Sequence, residues 1–211
     1  MASQRRADGT LVYVTGSPGA GKTSWVRDRV RRARRLIVWD GKGIDWGERQ
    51  GCTVLKSLHD LRALALSAGA MRLSIRVPVT RANFEAFAGL AWVWARYRSG
   101  VIVVDEIADV TSTAKAPMAW GEICRKARAF GTDVYVTTQR PQECDKTAQG
   151  NALLYHCGLM ADADDQRYVA RRLLGGYPLE QLATLEPLEY LERDVRTRQV
   201  ARGKLRRSAL A

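Results

Sequence analysis

Gly16-Ser17-Pro18-Gly19-Ala20-Gly21-Lys22-Thr23 satisfies the pattern G-x-x-x-x-G-K-[ST] at every fixed position. Glycines at that spacing let backbone N–H groups converge on phosphate oxygens, and the positive end of a following helix strengthens the field. In such a loop Lys22 reaches the β- and γ-phosphates, and the Thr23 hydroxyl ligates Mg²⁺. A second group lies in Val101-Ile102-Val103-Val104-Asp105-Glu106, where four apolar residues deliver an acidic pair to the carboxyl end of a strand. Ligands of open α/β sheets bind there. Asp105 is placed to hold Mg²⁺, directly or through water, and Glu106 to orient and deprotonate an attacking water. The chemistry is in-line attack on the γ-phosphate of ATP. Hydrolysis is favoured over transfer, because no pocket for a hydroxyl acceptor is legible. A third strand ends Thr137-Thr138-Gln139, so the Gln139 amide lands beside the loop, where it can sense the γ-phosphate or the attacking water.

These groups need a scaffold that brings strand ends together. Leu11-Val12-Tyr13-Val14 reads as a buried strand, and Ser24 to Arg35, without a breaker, reads as the helix that follows the loop. Leu36 to Trp39 is a second strand ending at Asp40 and a Gly-Lys-Gly turn. Leu58 to Ala68 has helical composition, and Arg72 to Val79 alternates like a strand. Over 81–98, Phe84, Phe87, Ala88, Ala91, Trp94 and Tyr97 share one helical face, which predicts a helix packed on a sheet rather than aromatics stacking on bases. A helix near 118–129, strands at 134–138 and 153–156, and a helix from the Asp162 cap to Leu174 follow. Asp162, Asp164 and Asp165 read as cap and first-turn acids rather than metal ligands. Leu188 to Val200 reads as a final strand or hairpin before a basic tail from about residue 201. Alternating short apolar strands and helices predict a mostly parallel sheet covered on both faces; with the phosphate loop it resembles an α/β P-loop NTPase of RecA/ASCE-like type. The 211 residues fit one domain spanning 1–211.

With 46% hydrophobic and 27% charged residues the composition is that of a soluble globular protein. No apolar run has the length of a membrane span; Phe87 to Ala95 stops at Arg96. The first ten residues lack the apolar core of a secretory signal. Cys52, Cys124, Cys144 and Cys157 form no C-x-x-C pair, and His59 and His156 are the only histidines. A zinc site and a disulfide scaffold are thereby disfavoured, and a reducing cytoplasm is expected. The net charge of +12 favours a polyanionic partner. Six arginines crowd residues 27–35 and more lie between Arg193 and Arg207; on one helix such a run is equally well a solvated face.

The order phosphate loop, Asp105-Glu106, Lys126-Ala127-Arg128-Ala129-Phe130-Gly131, strand, Thr138-Gln139-Arg140-Pro141 resembles the FtsK/HerA superfamily of ring-shaped DNA-pumping ATPases. It looks most like the small genome-packaging ATPases of membrane-containing icosahedral viruses. The resemblance runs from the first strand to about Gly176. It implies the family roles for Lys22, Thr23, Asp105, Glu106 and Gln139, and it implies that Arg128 is the arginine supplied to a neighbouring subunit, with Arg125 as rival. Asp40 resembles the family's acidic residue after the second strand. The implied partners are double-stranded DNA, a homo-oligomeric ring (pentamer or hexamer), and capsid or membrane vertex proteins. The implied place is the host cytoplasm or the virion vertex. A cell-division translocase would need membrane segments and a DNA-reading winged domain, so a bare motor domain is expected. Candidate DNA-gripping loops are Thr111 to Pro117, with Lys115, and Pro141 to Asn151, with Lys146. A pump of a plasmid or other mobile element and a non-motor nucleotidase share most of these features.

Overall fold

The computed structural model describes residues 8–113 and 116–206. One nine-stranded sheet organises it. The strands are β1 (Leu11–Thr15), β2 (Arg35–Asp40), β3 (Thr53–Leu55), β4 (Met71–Ile75), β5 (Val101–Asp105), β6 (Asp133–Thr138), β7 (Leu154–Gly158), β8 (Glu189–Asp194) and β9 (Val200–Lys204). They lie in the order β3-β4-β2-β5-β6-β1-β7-β8-β9. Pairing is parallel from β3 through β7; β7–β8 and β8–β9 are antiparallel. The expected α/β architecture is therefore the observed one.

Alternation along each central strand feeds two cores. Leu11, Tyr13, Ile37, Trp39, Ile102 and Val104 face one layer, and Val12, Val14, Leu36, Val38, Val101 and Val103 face the other. The first layer is built by α2 (Leu58–Leu64), α3 (Arg81–Tyr97), α4 (Met118–Lys126), α5 (Lys146–Asn151) and α6 (Ala163–Tyr168), with α7 (Leu179–Ala183) at its margin. Thr80 caps α3, accepting a hydrogen bond from the Asn83 N–H. Phe84, Phe87, Ala88, Ala91 and Trp94 are fully buried, and the Trp39 ring meets Phe84 and Phe87 at 5.5 and 5.3 Å. Tyr97 departs from the expected face: it sits in the last turn, half exposed, because the chain becomes extended at Arg98. The second layer rests on α1 (Lys22–Val30), through Trp25, Val26 and Val30.

Several boundaries move. The helix after the phosphate loop stops at Val30, and Arg35 already belongs to β2. Residues 201–204, read from sequence as the start of a basic tail, belong to β9 instead, because an edge strand on β8 satisfies their backbone. The Pro141–Asn151 connection contains α5, capped by Asp145. Asp162 does cap α6, accepting from the Asp164 and Asp165 N–H groups, and the helix continues as a π turn over Val169–Leu173. All four cysteines are free and buried. No described helix is long and apolar enough to cross a membrane.

Candidate functional site

The parallel strands end together at one rim. β1 runs directly into the phosphate loop, and Gly21, at φ +88°, adopts the left-handed conformation that lets the chain turn into α1. The loop is tied to the exit of β7: Ser17 N–H donates to the Leu159 carbonyl (2.8 Å), and Ala161 N–H donates to Ser17 Oγ (2.8 Å). Lys22 folds over its own loop, its Nζ donating to the carbonyls of Gly16 (2.6 Å) and Ser17 (3.1 Å). Burial lowers the Lys22 ammonium to a pKa of about 8, against the pull of Glu106 and Asp105 and with a push from Lys42. A buried cation satisfied only by carbonyls is poised for an anion. The Thr23 hydroxyl, in the first turn of α1, makes no hydrogen bond to a described residue.

The acidic pair stands opposite. Asp105 closes β5, in register with Asp40 at the end of β2. Glu106 turns away from the strand at φ 53°, a region that costs a non-glycine residue about 1 kcal/mol. Two threonines of β6 hold this turn. Thr137 Oγ1 accepts from the Glu106 N–H (3.0 Å) and donates to Asp105 Oδ1 (2.6 Å). Thr138 Oγ1 (2.9 Å) and the Gln139 N–H (2.9 Å) both donate to Glu106 Oε1. Asp105 Oδ2 and Glu106 Oε2 are left buried and without any partner. Burial holds the Asp105 carboxyl above the usual carboxylate range, with the Thr137 hydrogen bond opposing it.

Asp40 completes the rim. Its Oδ2 accepts from Arg76 Nε (2.9 Å), the Trp46 N–H (3.2 Å) and Ser74 Oγ (3.3 Å), while Oδ1 is bare. The structure thus brings together Lys22, Thr23, Asp105, Glu106, the Gln139 backbone and Asp40. Sequence reasoning missed Thr137, Thr138, Ser74, Arg76 and Lys42. The legible signal for two of them, Thr137 and Thr138, was a hydroxyl residue at the polar end of an apolar strand.

Donor chemistry fits Mg²⁺ arriving with phosphate. One unpartnered carboxylate oxygen on Asp105 and one free hydroxyl on Thr23 are the hard oxygen ligands that ion takes, with phosphate and water filling the rest of its shell. Among the described residues no group of three His, Cys, Asp or Glu side chains forms a metal cage.

Other expected residues lie elsewhere. Arg128 sits in a 3₁₀ turn before β6, and its carbonyl accepts from the Gly9 N–H (2.9 Å), so it stands at the amino end of β1 and β6, away from its own phosphate loop. Its guanidinium is exposed and has no partner among the described residues, whereas Arg125 pairs with Glu122 (3.3 Å). The Lys146 ammonium, in one of the candidate gripping loops, donates to the Pro141 and Gln142 carbonyls (both 3.0 Å). Lys115 lies outside the described residues. In the arginine run, Arg27, Arg29 and Arg31 pair with Asp45, Glu192 and Asp28. Arg35 donates to the Arg98 and Ser67 carbonyls. Much of that run is therefore internal structure.

Comparison with known proteins bears on the family and the fold. The model of the zonular occludens toxin (Zot) family matches residues 10–157. Protein P9 of Pseudoalteromonas phage PM2 is 35% identical over 178 residues, spanning 80% of this chain and 78% of that protein. The genome packaging NTPase B204 of Sulfolobus turreted icosahedral virus 2, solved with ATP-gammaS, superposes with a TM-score of 0.76 at 17% identity, over 92% of this chain and 97% of that chain. VirB4 of Thermoanaerobacter pseudethanolicus gives a TM-score of 0.67 at 11% identity, over 95% of this chain and 90% of that one. The two structural likenesses show the P-loop NTPase fold. The family match and the phage relative show that the chain belongs to the Zot family.

Proposed function

We propose that this Zot-family chain is an ATP-hydrolysing motor that moves double-stranded DNA, packaging a viral genome into a preformed capsid. The observation that carries the proposal is the rim itself: a phosphate loop, a Lys22 ammonium with carbonyl partners only, and two acids each presenting one buried bare oxygen. A name adds support, since B204, with the same fold, is described as a genome packaging NTPase. Chain 1–211 then works as one motor domain.

In this mechanism the N–H groups of Gly19, Gly21, Lys22 and Thr23 and the Lys22 ammonium bind the triphosphate, Lys22 exchanging the Gly16 and Ser17 carbonyls for phosphate oxygens. Mg²⁺, held by Thr23 and Asp105, would neutralise phosphate charge. Glu106 keeps Oε1 on Thr138 and Gln139, so Oε2 is the oxygen free to take the proton of the attacking water. The Gln139 N–H bond to Glu106 ties that residue to the rim, where its side-chain amide would sense the γ-phosphate or the attacking water. The family resemblance gives Arg128, which stands at the amino end of β6 away from its own loop, the role of acting on a neighbour's nucleotide in a ring of five or six copies. Capsid or membrane vertex proteins are the docking partners of such a ring, in host cytoplasm or at the virion vertex.

Phosphate release with and without duplex DNA tests the proposal. Hydrolysis should rise with DNA of any sequence, and the stimulation should fade steeply between low and physiological salt, as phosphate contacts require. Hydrolysis indifferent to DNA would make the chain a non-motor nucleotidase.

A further inference from the structure

The rim fixes the direction of a bound nucleotide. Lys22, Glu106 and Gln139 gather the terminal phosphate on the β5–β6 flank of β1, so the nucleoside must leave the loop on the other flank, where β7, β8 and β9 follow. Two leucines wait there. A Cβ placed on Gly21 would lie 2.5 Å from Leu205 Cδ1 and 3.1 Å from Leu188 Cδ2, so both side chains rest on the phosphate loop. Leu188 precedes β8 and Leu205 follows β9, and the Leu205 N–H donates to the Leu188 carbonyl (2.9 Å). Leu188 takes φ +68°, a conformation leucine rarely adopts, to bring this about.

The hairpin that carries the leucines is locked to α1. Glu192 of β8 bonds Arg29 (3.3 Å) and His156 Nδ1 (3.2 Å). The His156 ring lies between Trp25, at 4.2 Å, and Tyr190, at 4.5 Å. Between α1 and the hairpin opens a cavity of about 570 Å³ whose lining is mostly charged, Arg29, Arg31, Lys204 and Arg206 among them, with Trp25 and Leu205 as its apolar surface. That volume is in the range of small-ligand sites.

We infer that Leu188 and Leu205, with the mouth of this cavity, form the nucleoside subsite, an aliphatic platform for the base of a nucleoside triphosphate. The inference rests on the phosphate-site reading above. Aliphatic carbons cover a ring face and read no hydrogen-bonding edge, so ATP and GTP should bind alike.

Calorimetric titration of the full chain with ATP, GTP and inorganic tripolyphosphate, each with Mg²⁺, separates the two readings. In Leu205→Ala, affinity for ATP and GTP should fall about 10-fold, the scale of one lost apolar contact surface, while tripolyphosphate affinity stays unchanged. Leu205→Ile should restore nucleotide affinity. Equal loss for all three ligands would overturn the inference, leaving Leu205 as a prop for the loop. Wild-type protein that binds ATP but no tripolyphosphate would overturn the phosphate-site reading itself, and this inference with it.

Discussion

The two rims of one parallel sheet are built on opposite terms. At the amino ends charge is mostly absorbed: Asp133 accepts from the Thr10 N–H (2.8 Å), and Arg35 donates to two carbonyls while lying 4.1 Å over the Trp94 ring. At the carboxyl ends Asp40, Asp105 and Glu106 each keep one oxygen bonded and one bare. Every unpartnered buried carboxylate oxygen among the described residues belongs to this rim. Buried polar atoms without partners cost about 1–3 kcal/mol each. A fold that keeps three of them on one rim, two beside the buried Lys22, retains strain where a ligand will relieve it. Arg128, like Arg34 just before β2, is an exception at the amino rim, exposed and without a side-chain partner among the described residues, and in a ring Arg128 would complete a neighbour's carboxyl rim.

That exception gives the largest expected effect. Arg128→Ala should bind ATP normally and lose roughly 10³–10⁵ in turnover, the scale of an arginine acting across an interface. Mixing it with Lys22→Ala protein should restore part of the activity, since some interfaces then pair an intact loop with an intact arginine. Wild-type turnover in assembled Arg128→Ala would move the role to Arg125.

A smaller effect sharpens the contrast in stability. The folded-state pKa of Lys22 is about 8 and that of a free lysine 10.5. Below pH 8 both states hold the proton; between the two values the unfolded chain binds more protons, so wild-type stability gains as pH rises. Relative to Lys22→Met, the gain should reach about 3 kcal/mol, at 1.36 kcal/mol per pKa unit. Denaturant unfolding at pH 7, 8.5 and 10 reads it, and a difference constant with pH would contradict the buried-charge account of Lys22.

The smallest effect belongs to the amino rim. Asp133→Ala leaves the Thr10 N–H without its acceptor and should cost about 1–3 kcal/mol in the same unfolding assay, with hydrolysis per folded molecule unchanged. A loss of turnover there would break the division of labour between rims.

Most of the scaffold was legible because its signals are local. The apolar runs of β1, β2, β5 and β6 and the three-four spacing of α3 each sit in one short stretch. So do the glycines and lysine of the loop and the Asp105-Glu106 pair. What escaped depends on contacts distant in sequence. Thr137 serves Asp105 across two adjacent strands, and Arg76 finds Asp40 only because β4 lies beside β2. β9 escaped for another reason: Arg202 and Lys204 read as tail charges until Glu189 and Glu186 are seen opposite them.

Glu106→Gln tests the central claim most directly. The amide preserves the acceptor for Thr138 and Gln139 but removes the base, so a fluorescent ATP analogue should bind as tightly as to wild type while phosphate release falls by at least about 10². Release at the wild-type rate would contradict the assignment of Glu106 as the base.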